Sequence, residues 1–379
     1  MASAAFIAGI KKRYIQPRIS FIHNGTDYSP FVIKISQITR DANLSAGVAN
    51  VTLNNGTGTF NFFSSTNTAL AESAQVKIHL TSDSADKVTL LSGKVQNVDF
   101  QGTRVIVRVK DHLKDFHSIK LGSDTVPFDF TSQFATPEGG HPADGIVWRL
   151  LTEDAAGNLD PTEGAGNTDI NWTRFVAWRD NYLDSFAQNS RFLLRARFTG
   201  ETLRSALLKI AQLTHSYFWV DLDGKISFAP THPTGQTYTA SNREPLALSL
   251  SLDPIINTMR VRYRYNHINS TWLDSTLEAN DATSVTQYGK RNYVEEDRTV
   301  WHHSFTSGFD DRTQTLSDIA FPKRMVSLTT NLSGVTEDVA TQITVTDTIK
   351  GITAQTMTIE EIIYDLEARK VRMKAWWQW

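Results

Sequence analysis

Apolar and polar residues alternate with a period of two through much of residues 20–118, as half-buried strands require. Residues 31–38 (FVIKISQI) are rich in β-branched side chains. Val48 to Leu53 alternates and runs into Asn54-Asn55-Gly56, a turn sequence. Val105, Val107 and Val109 share one face of a strand, and Arg104, Arg108 and Lys110 share the other with Ile106. That strand is expected to pair with residues 93–100 across a turn at Gln101-Gly102.

The period changes between residues 119 and 244. Residues 137–170 are rich in Gly, Pro and acids, as in PEGG at 137–140 and EGAG at 163–166. Within 143–154, Ile146, Val147, Leu150 and Leu151 fall at helical spacing. A second helix is expected over 201–215, with a stripe of Leu203, Leu207, Ile210 and Leu213. Thr199 is its candidate N-cap, and Glu201 suits the positive end of the dipole. Asp223-Gly224 between two β-rich runs predicts a hairpin. From 245 onward the pattern is β again, with strands expected at 246–252, 259–265, 325–330, 343–346, 356–364 and 370–377.

Residues 98–110 align without gaps on residues 364–376. Each segment carries an apolar-Asp-apolar end, a polar turn and a strand with basic residues on one face. This echo points to a duplicated β domain. The fold class expected is therefore α+β, mostly β, with β regions at both ends and a mixed α/β middle.

Composition narrows the chemistry. The 379 residues are 40% apolar and 21% charged, enough for packed cores and against disorder. Lys plus Arg number 38 against 40 Asp plus Glu, so no global field draws the chain to nucleic acid or an anionic membrane. Without cysteine there is no disulfide, thiolate metal site, iron–sulfur cluster or cysteine nucleophile. The N-terminal apolar run precedes its basic cluster, Lys11, Lys12 and Arg13, the reverse of a secretory signal. No apolar stretch is long enough to span a bilayer, and assembly in a cytoplasm is expected.

Enzyme motifs are missing: there is no GxSxG, HExxH, P-loop or dinucleotide-binding fingerprint. Asp221-Leu222-Asp223-Gly224 imitates part of a calcium loop, but an EF-hand register would put Trp219 and Pro230 at the first and last ligand positions. A hairpin turn accounts for it better. His302 and His303 are neighbours, which on a strand point to opposite sides and do not grip one metal. The acids Glu295, Glu296, Asp297, Asp310 and Asp311 read as solvated loop faces. Paired across a cleft, they would instead suit sugar hydrolysis. No catalytic, cofactor-binding or metal site is therefore expected, and no cofactor.

Two basic strand faces stand out as candidate interface elements. One carries Arg104, Arg108 and Lys110. The other carries Arg260, Arg262 and Arg264, which alternate with Val261, Tyr263 and Tyr265. Such rows need anionic partners, from a neighbouring strand or another subunit. In the C-terminal strand, Trp377 and Trp379 share a face with Val371, Met373 and Ala375, as in a core strand. Trp376 faces the other way and is a candidate interface anchor.

The order of these segments resembles the tail hub proteins of long-tailed bacteriophages and gene transfer particles. The resembling pieces are the N-x-x-G-x-F of Asn55, Gly58 and Phe60 within VTLNNGTGTF (51–60), LLSGKVQNV (90–98), and a helix leading into WVDLDGKISF (219–228). The strand introduced by INTMRVRY (256–263) completes them. The resemblance spans most of residues 20–379. It implies an α+β, mostly β architecture with two tail-tube-like β-barrel or sandwich domains, 20–118 and 245–379, an inserted mixed α/β domain, 119–244, and an N-terminal arm, 1–19. It also implies three chains forming a ring of pseudo-sixfold symmetry, and no enzyme. Such a homotrimeric virion protein joins the distal tail or tail-tube protein to tip or fibre proteins. Its channel passes the tape-measure protein and then DNA. Two alternatives stay open: a sugar-binding or sugar-degrading receptor-binding tail protein, and a hexameric distal tail adaptor built on one such domain.

Overall fold

The computed structural model of the chain describes residues 18–42, 46–60, 70, 75–81, 87–111, 113–130, 141–152, 170–183, 192–229, 234–251, 255–266, 268–272, 277–303 and 305–377. The expected N-terminal arm, apart from Arg18 and Ile19, lies outside the described residues, as do the Gly-rich segments 137–140 and 163–166 and Trp379.

The chain is mostly β. Its largest element is one open sheet of 14 strands drawn from both ends of the sequence. Beneath it lies a core that includes Phe21, Val51, Val107, Ile343, Ile359 and Tyr364, all fully buried. Alternation holds where it was expected: Val105, Val107 and Val109 are buried while Arg104 and Arg108 are exposed. Val371, Met373, Ala375 and Trp377 are buried in the same way.

Both ends of the chain build the same four-stranded unit. In the first, the spatial order is Val48–Asn54, Arg104–Lys110, Lys87–Gln101, Gln75–Thr81. In the second it is Lys323–Asn331, Lys370–Trp377, Ile352–Asp365, Gln342–Asp347. Every neighbouring pair is antiparallel. Even the irregularities coincide. In the first hairpin Arg108 faces Asn97 and Val109 faces Val95, leaving Gln96 as a bulge. In the second, Lys374 faces Glu361 and Ala375 faces Ile359, leaving Glu360 as the bulge. Following the pairings outward makes Phe100 equivalent to Tyr364, Val98 to Ile362, Val76 to Ile343 and Val51 to Leu328.

The aligned segments 98–110 and 364–376 are in register on the returning strand, where Arg104 matches Lys370. On the outgoing strand they are two residues out. The first turn closes between Gln101 and Arg104, with Gly102 at φ 59°, whereas the second spans 366–369 between Asp365 and Lys370.

The expected closed barrels are not found among the described residues. Closure would require each unit's own edges to meet. Instead the strand Ile38–Asp41 bridges the units. It touches the first unit at Thr39 opposite Val48, and its other edge pairs with residues 361–364 of the second. Residues 31–38 are accordingly split: one strand ends at Ile35 and the bridging strand begins at Ile38.

A second core lies in the middle of the chain. Helices Ala143–Thr152, Trp172–Trp178 and Leu203–Leu213 pack against the strand Leu193–Phe198 and the hairpin of Tyr217–Val220 with Ile226–Ala229. Trp178 stacks on Phe228 and meets Phe218 edge-on. Asp221 supports the hairpin turn by accepting from the backbone N–H of Asp223 and of Lys225, each at 3.0 Å. The N-cap of the third helix is Thr202, whose hydroxyl accepts from Ser205 N; Thr199 lies outside the helix. Val300–His302 adds to Leu193–Phe198, and Thr234–Tyr238 runs parallel to Gln342–Asp347 in the large sheet.

Candidate interface and buried ionic centres

On the first hairpin, Arg108 stands between Asn50 and Asn97, and Arg104 between Asn54 and Gln101. Neither guanidinium has a hydrogen bond or ion pair among the described residues. Lys110 is half-buried between Val48 and Lys94. Sequence reasoning singled out this face, and the structure places its three cations together on one strand.

The equivalent face of the second hairpin is neutralised within the chain. Arg372 meets Asp365 at 2.6 Å and Lys374 meets Glu361 at 3.0 Å, both across the hairpin. Lys370 reaches Glu244 at 2.6 Å. Trp376 is half-buried on this face, with the Lys323 ammonium 4.2 Å from its ring centroid.

The row Arg260, Arg262, Arg264 is not a continuous strand face. The strand is Thr258–Val261, and Arg264 has a left-handed backbone with φ 58°. Left-handed geometry breaks the pleat, so alternation stops there. Arg260 pairs with Glu278 at 2.8 Å and Arg262 with Glu296 at 3.4 Å. Arg264 donates through Nε to the carbonyl of His303. Of the residues first singled out, Arg104 and Arg108 have no charge partner among the described residues.

Glu295, Glu296 and Asp297 do not converge on a cleft. Glu295 and Asp297 both hold Lys209, at 3.1 and 3.2 Å, and Tyr293 donates to Glu295 at 2.7 Å. Glu296 turns the other way, to Arg262. This is an ionic strut between the helix Leu203–Leu213 and the strand Asn292–Glu295.

Two buried polar centres were not foreseen as such. The first joins three parts of the chain. Arg40, on the bridging strand, meets Asp338 at 2.5 Å and donates to the carbonyl of Val220. Tyr364 donates to the carbonyl of Glu337 at 2.9 Å. Burial opposes the charge of Arg40, and Asp338, Tyr364 and Asp111 together more than offset it, so its pKa is raised.

The second centre surrounds Asp311, expected on a solvated loop. It lies instead on the helix Phe305–Ile319, nearly inaccessible. His215 Nε2 meets Asp311 at 2.8 Å and His215 Nδ1 meets Asp318 at 3.3 Å. His302 Nε2 lies 3.2 Å from the other oxygen of Asp311, and its Nδ1 is 2.7 Å from Ser307 Oγ. Burial resists ionisation of both partners. Its effect is outweighed in His215 by the two carboxylates, which push it up to about 9, and in Asp311 by the two histidines, which hold it down at about 2. Ser307, His302 and Asp311 imitate a hydrolytic triad in composition. All three are sealed from solvent, so no substrate reaches the hydroxyl. His303 leaves this centre and bonds its backbone N–H to Leu193.

No protein-family model matches the sequence. No curated protein is similar to it. Solved structures are. The tail protein from Neisseria meningitidis MC58 matches over 96% of this chain and 97% of its own, with a TM-score of 0.60 and 10% identity. The 43 kDa tail protein of prophage MuSo2 from Shewanella oneidensis matches over 96% and 98%, at 0.54 and 12%. The prophage tail protein gp18 from Listeria monocytogenes EGD-e matches over 95% and 94%, at 0.53 and 9%. At these identities the likeness is one of fold, and it runs nearly end to end: the chain is folded like prophage tail proteins.

Proposed function

We propose that this protein is a non-enzymatic structural component of a phage-type tail, a homotrimeric hub in which two tube-like modules per chain give a ring of pseudo-sixfold symmetry. The observation that carries this reading is the four-strand unit repeated at both ends of the chain, matched in order, register and bulge. The modules fall within 20–118 and 245–379, with 119–244 as the inserted domain that decorates the ring and 1–19 as an arm. End-to-end likeness to tail proteins supports the tail assignment.

In this reading the ring joins the tail tube or distal tail protein to tip or fibre proteins, and its channel passes the tape-measure protein and DNA. A near-neutral chain suits a conduit along which DNA slides without being held. The ring is assembled in the host cytoplasm and resides in the virion tail. Arg104, Arg108 and Lys110 are its interface cations, and Trp376 a contact anchor.

Light scattering on the purified chain tests this. A mass of about three times the 42.5 kDa chain is expected. A hexamer would favour the distal-adaptor reading, and a monomer that stays monomeric within purified tails would overturn the hub.

A further inference from the structure

The two units differ at one edge. In the second unit, the outer edge of residues 361–364 is covered by the bridging strand: Asp41 faces Glu361, Arg40 faces Ile362, Thr39 faces Ile363 and Ile38 faces Tyr364. In the first unit the equivalent stretch is residues 97–100, and no described strand pairs with its outer edge.

The bridging strand also has a counterpart. Thr39 faces Val48, and Ser249 faces Met325. Val48 and Met325 are equivalent, because they face Lys110 and Trp376 on the matched returning strands. Ser249 is therefore the counterpart of Thr39, and Leu248 of Ile38. The strand Ala247–Ser251 sits at the end of the large sheet, with its far edge unpaired among the described residues. Ile38 is fully buried, whereas Leu248 is 43% exposed. Ile362 and Tyr364 are fully buried, whereas Val98 and Phe100 are only half-buried.

We infer that the joint inside the chain is repeated between chains: the strand Ala247–Ser251 of one copy pairs antiparallel with residues 97–100 of the next. Carrying over the internal register sets Ser251 opposite Asn97, Leu250 opposite Val98, Ser249 opposite Asp99 and Leu248 opposite Phe100. Each copy offers one edge of each kind, so the contact is head-to-tail and generates a ring when the rotation closes. An open strand edge beside an exposed leucine is also a liability that such pairing removes. This inference rests on the trimeric reading above and specifies its contact.

The absence of cysteine makes the register directly testable. Ala42 N bonds the carbonyl of Glu360, so by alternation Thr39 and Ile363 form a non-hydrogen-bonded pair. Asp99 and Ser249 inherit that geometry, whose Cα separation of about 4.5 Å accepts a disulfide. Both side chains are exposed, so the fold tolerates the exchange.

The experiment is mild oxidation of the D99C/S249C double variant, in purified oligomer and in assembled tails, read on a non-reducing gel. A ladder ending at covalent trimer is expected. D99C/A247C, two residues out of register, is expected to lose it, as is either single variant. A chain that is trimeric by light scattering but gives no D99C/S249C ladder, or crosslinks equally out of register, would overturn this joint and leave the hub standing. A chain that is not trimeric even within tails would overturn both.

Discussion

The two hairpins share a backbone and differ in what their polar faces carry. In the second, Glu361 faces Lys374 and Asp365 lies diagonal to Arg372, and the two acids neutralise these cations. In the first, the equivalent positions are Asn97 and Gln101, so Arg108 meets an amide where Lys374 meets an acid. The same contrast holds at the edges: one is covered by Ile38–Asp41, and no described strand covers the other. A copy whose neighbours lie within its own chain has internalised its charge partners. The other copy has an edge and two arginines without partners among the described residues.

The bridging strand gives the largest test of this contrast. Arg40→Ala leaves Asp338 buried without its cation and is expected to cost about 3–5 kcal/mol, read as a lower denaturation midpoint. Ile38→Ala is expected to cost about 2–5 kcal/mol. Its counterpart Leu248→Ala is expected to stay within about 0.5 kcal/mol in the dissociated chain, because that leucine is exposed there. Equal losses at Ile38 and Leu248 would break the equivalence of the two strands.

Gly93 and Met357 occupy one position in the repeat with opposite demands. A Cβ on Gly93 would lie 2.1 Å from the Lys110 carbonyl oxygen, where the strand Arg104–Lys110 ends. Gly93→Ala is expected to destabilise by about 3 kcal/mol through overpacking. Met357→Ala should lose about 2–4 kcal/mol through a cavity. A neutral Gly93→Ala in thermal melts would show that the backbone yields there.

The Asp311 centre has no repeated counterpart and adds a pH dependence. His215 is raised, so its contribution is complete below its ordinary value near 6.5 and is lost as pH climbs through about 9. Asp311 is lowered, so its contribution is complete above the usual carboxylate range and is lost as pH falls through about 2. Stability is expected to drop by about 1–3 kcal/mol between pH 6 and 10, and His215→Gln to flatten that slope. An unchanged slope in the variant would remove His215 as its source.

The smallest effects are at the surface. Lys374→Ala is expected to cost about 0.2–1 kcal/mol. Asn97→Glu, which gives Arg108 the acid its counterpart has, is expected to add a similar amount to the isolated chain. A double-mutant cycle on Asn97 and Arg108 would show whether the two hairpins become alike.

Several features were legible because one face of each strand is buried and the other is wet. Val105, Val107 and Val109 revealed their strand, and Asp223-Gly224 revealed its hairpin, through short-range rules alone. The helix Phe305–Ile319 escaped the same test. Its buried positions include Ser307, Asp311 and Thr315, at helical spacing but polar, so no apolar stripe marks the face that packs inward. Those residues become interior only because His215 and His302 arrive from elsewhere to satisfy them. Arg260, Arg262 and Arg264 looked continuous because alternation in a sequence says nothing of a φ that turns positive.

The sequence by itself determined the strands, the hairpin turns, the cysteine-free chemistry and the hint of a repeat, since each follows from neighbours a few residues apart. The repeat's true register needed the fold, because a turn two residues longer shifts one strand without altering its pattern. Tertiary structure alone decided that the two β regions join as one open sheet, that Arg40 locks three segments together, and that one edge is left uncovered by any described strand. Those outcomes depend on strand edges and buried charges meeting across about 300 residues, and backbone hydrogen bonding at an edge leaves no mark on side-chain pattern.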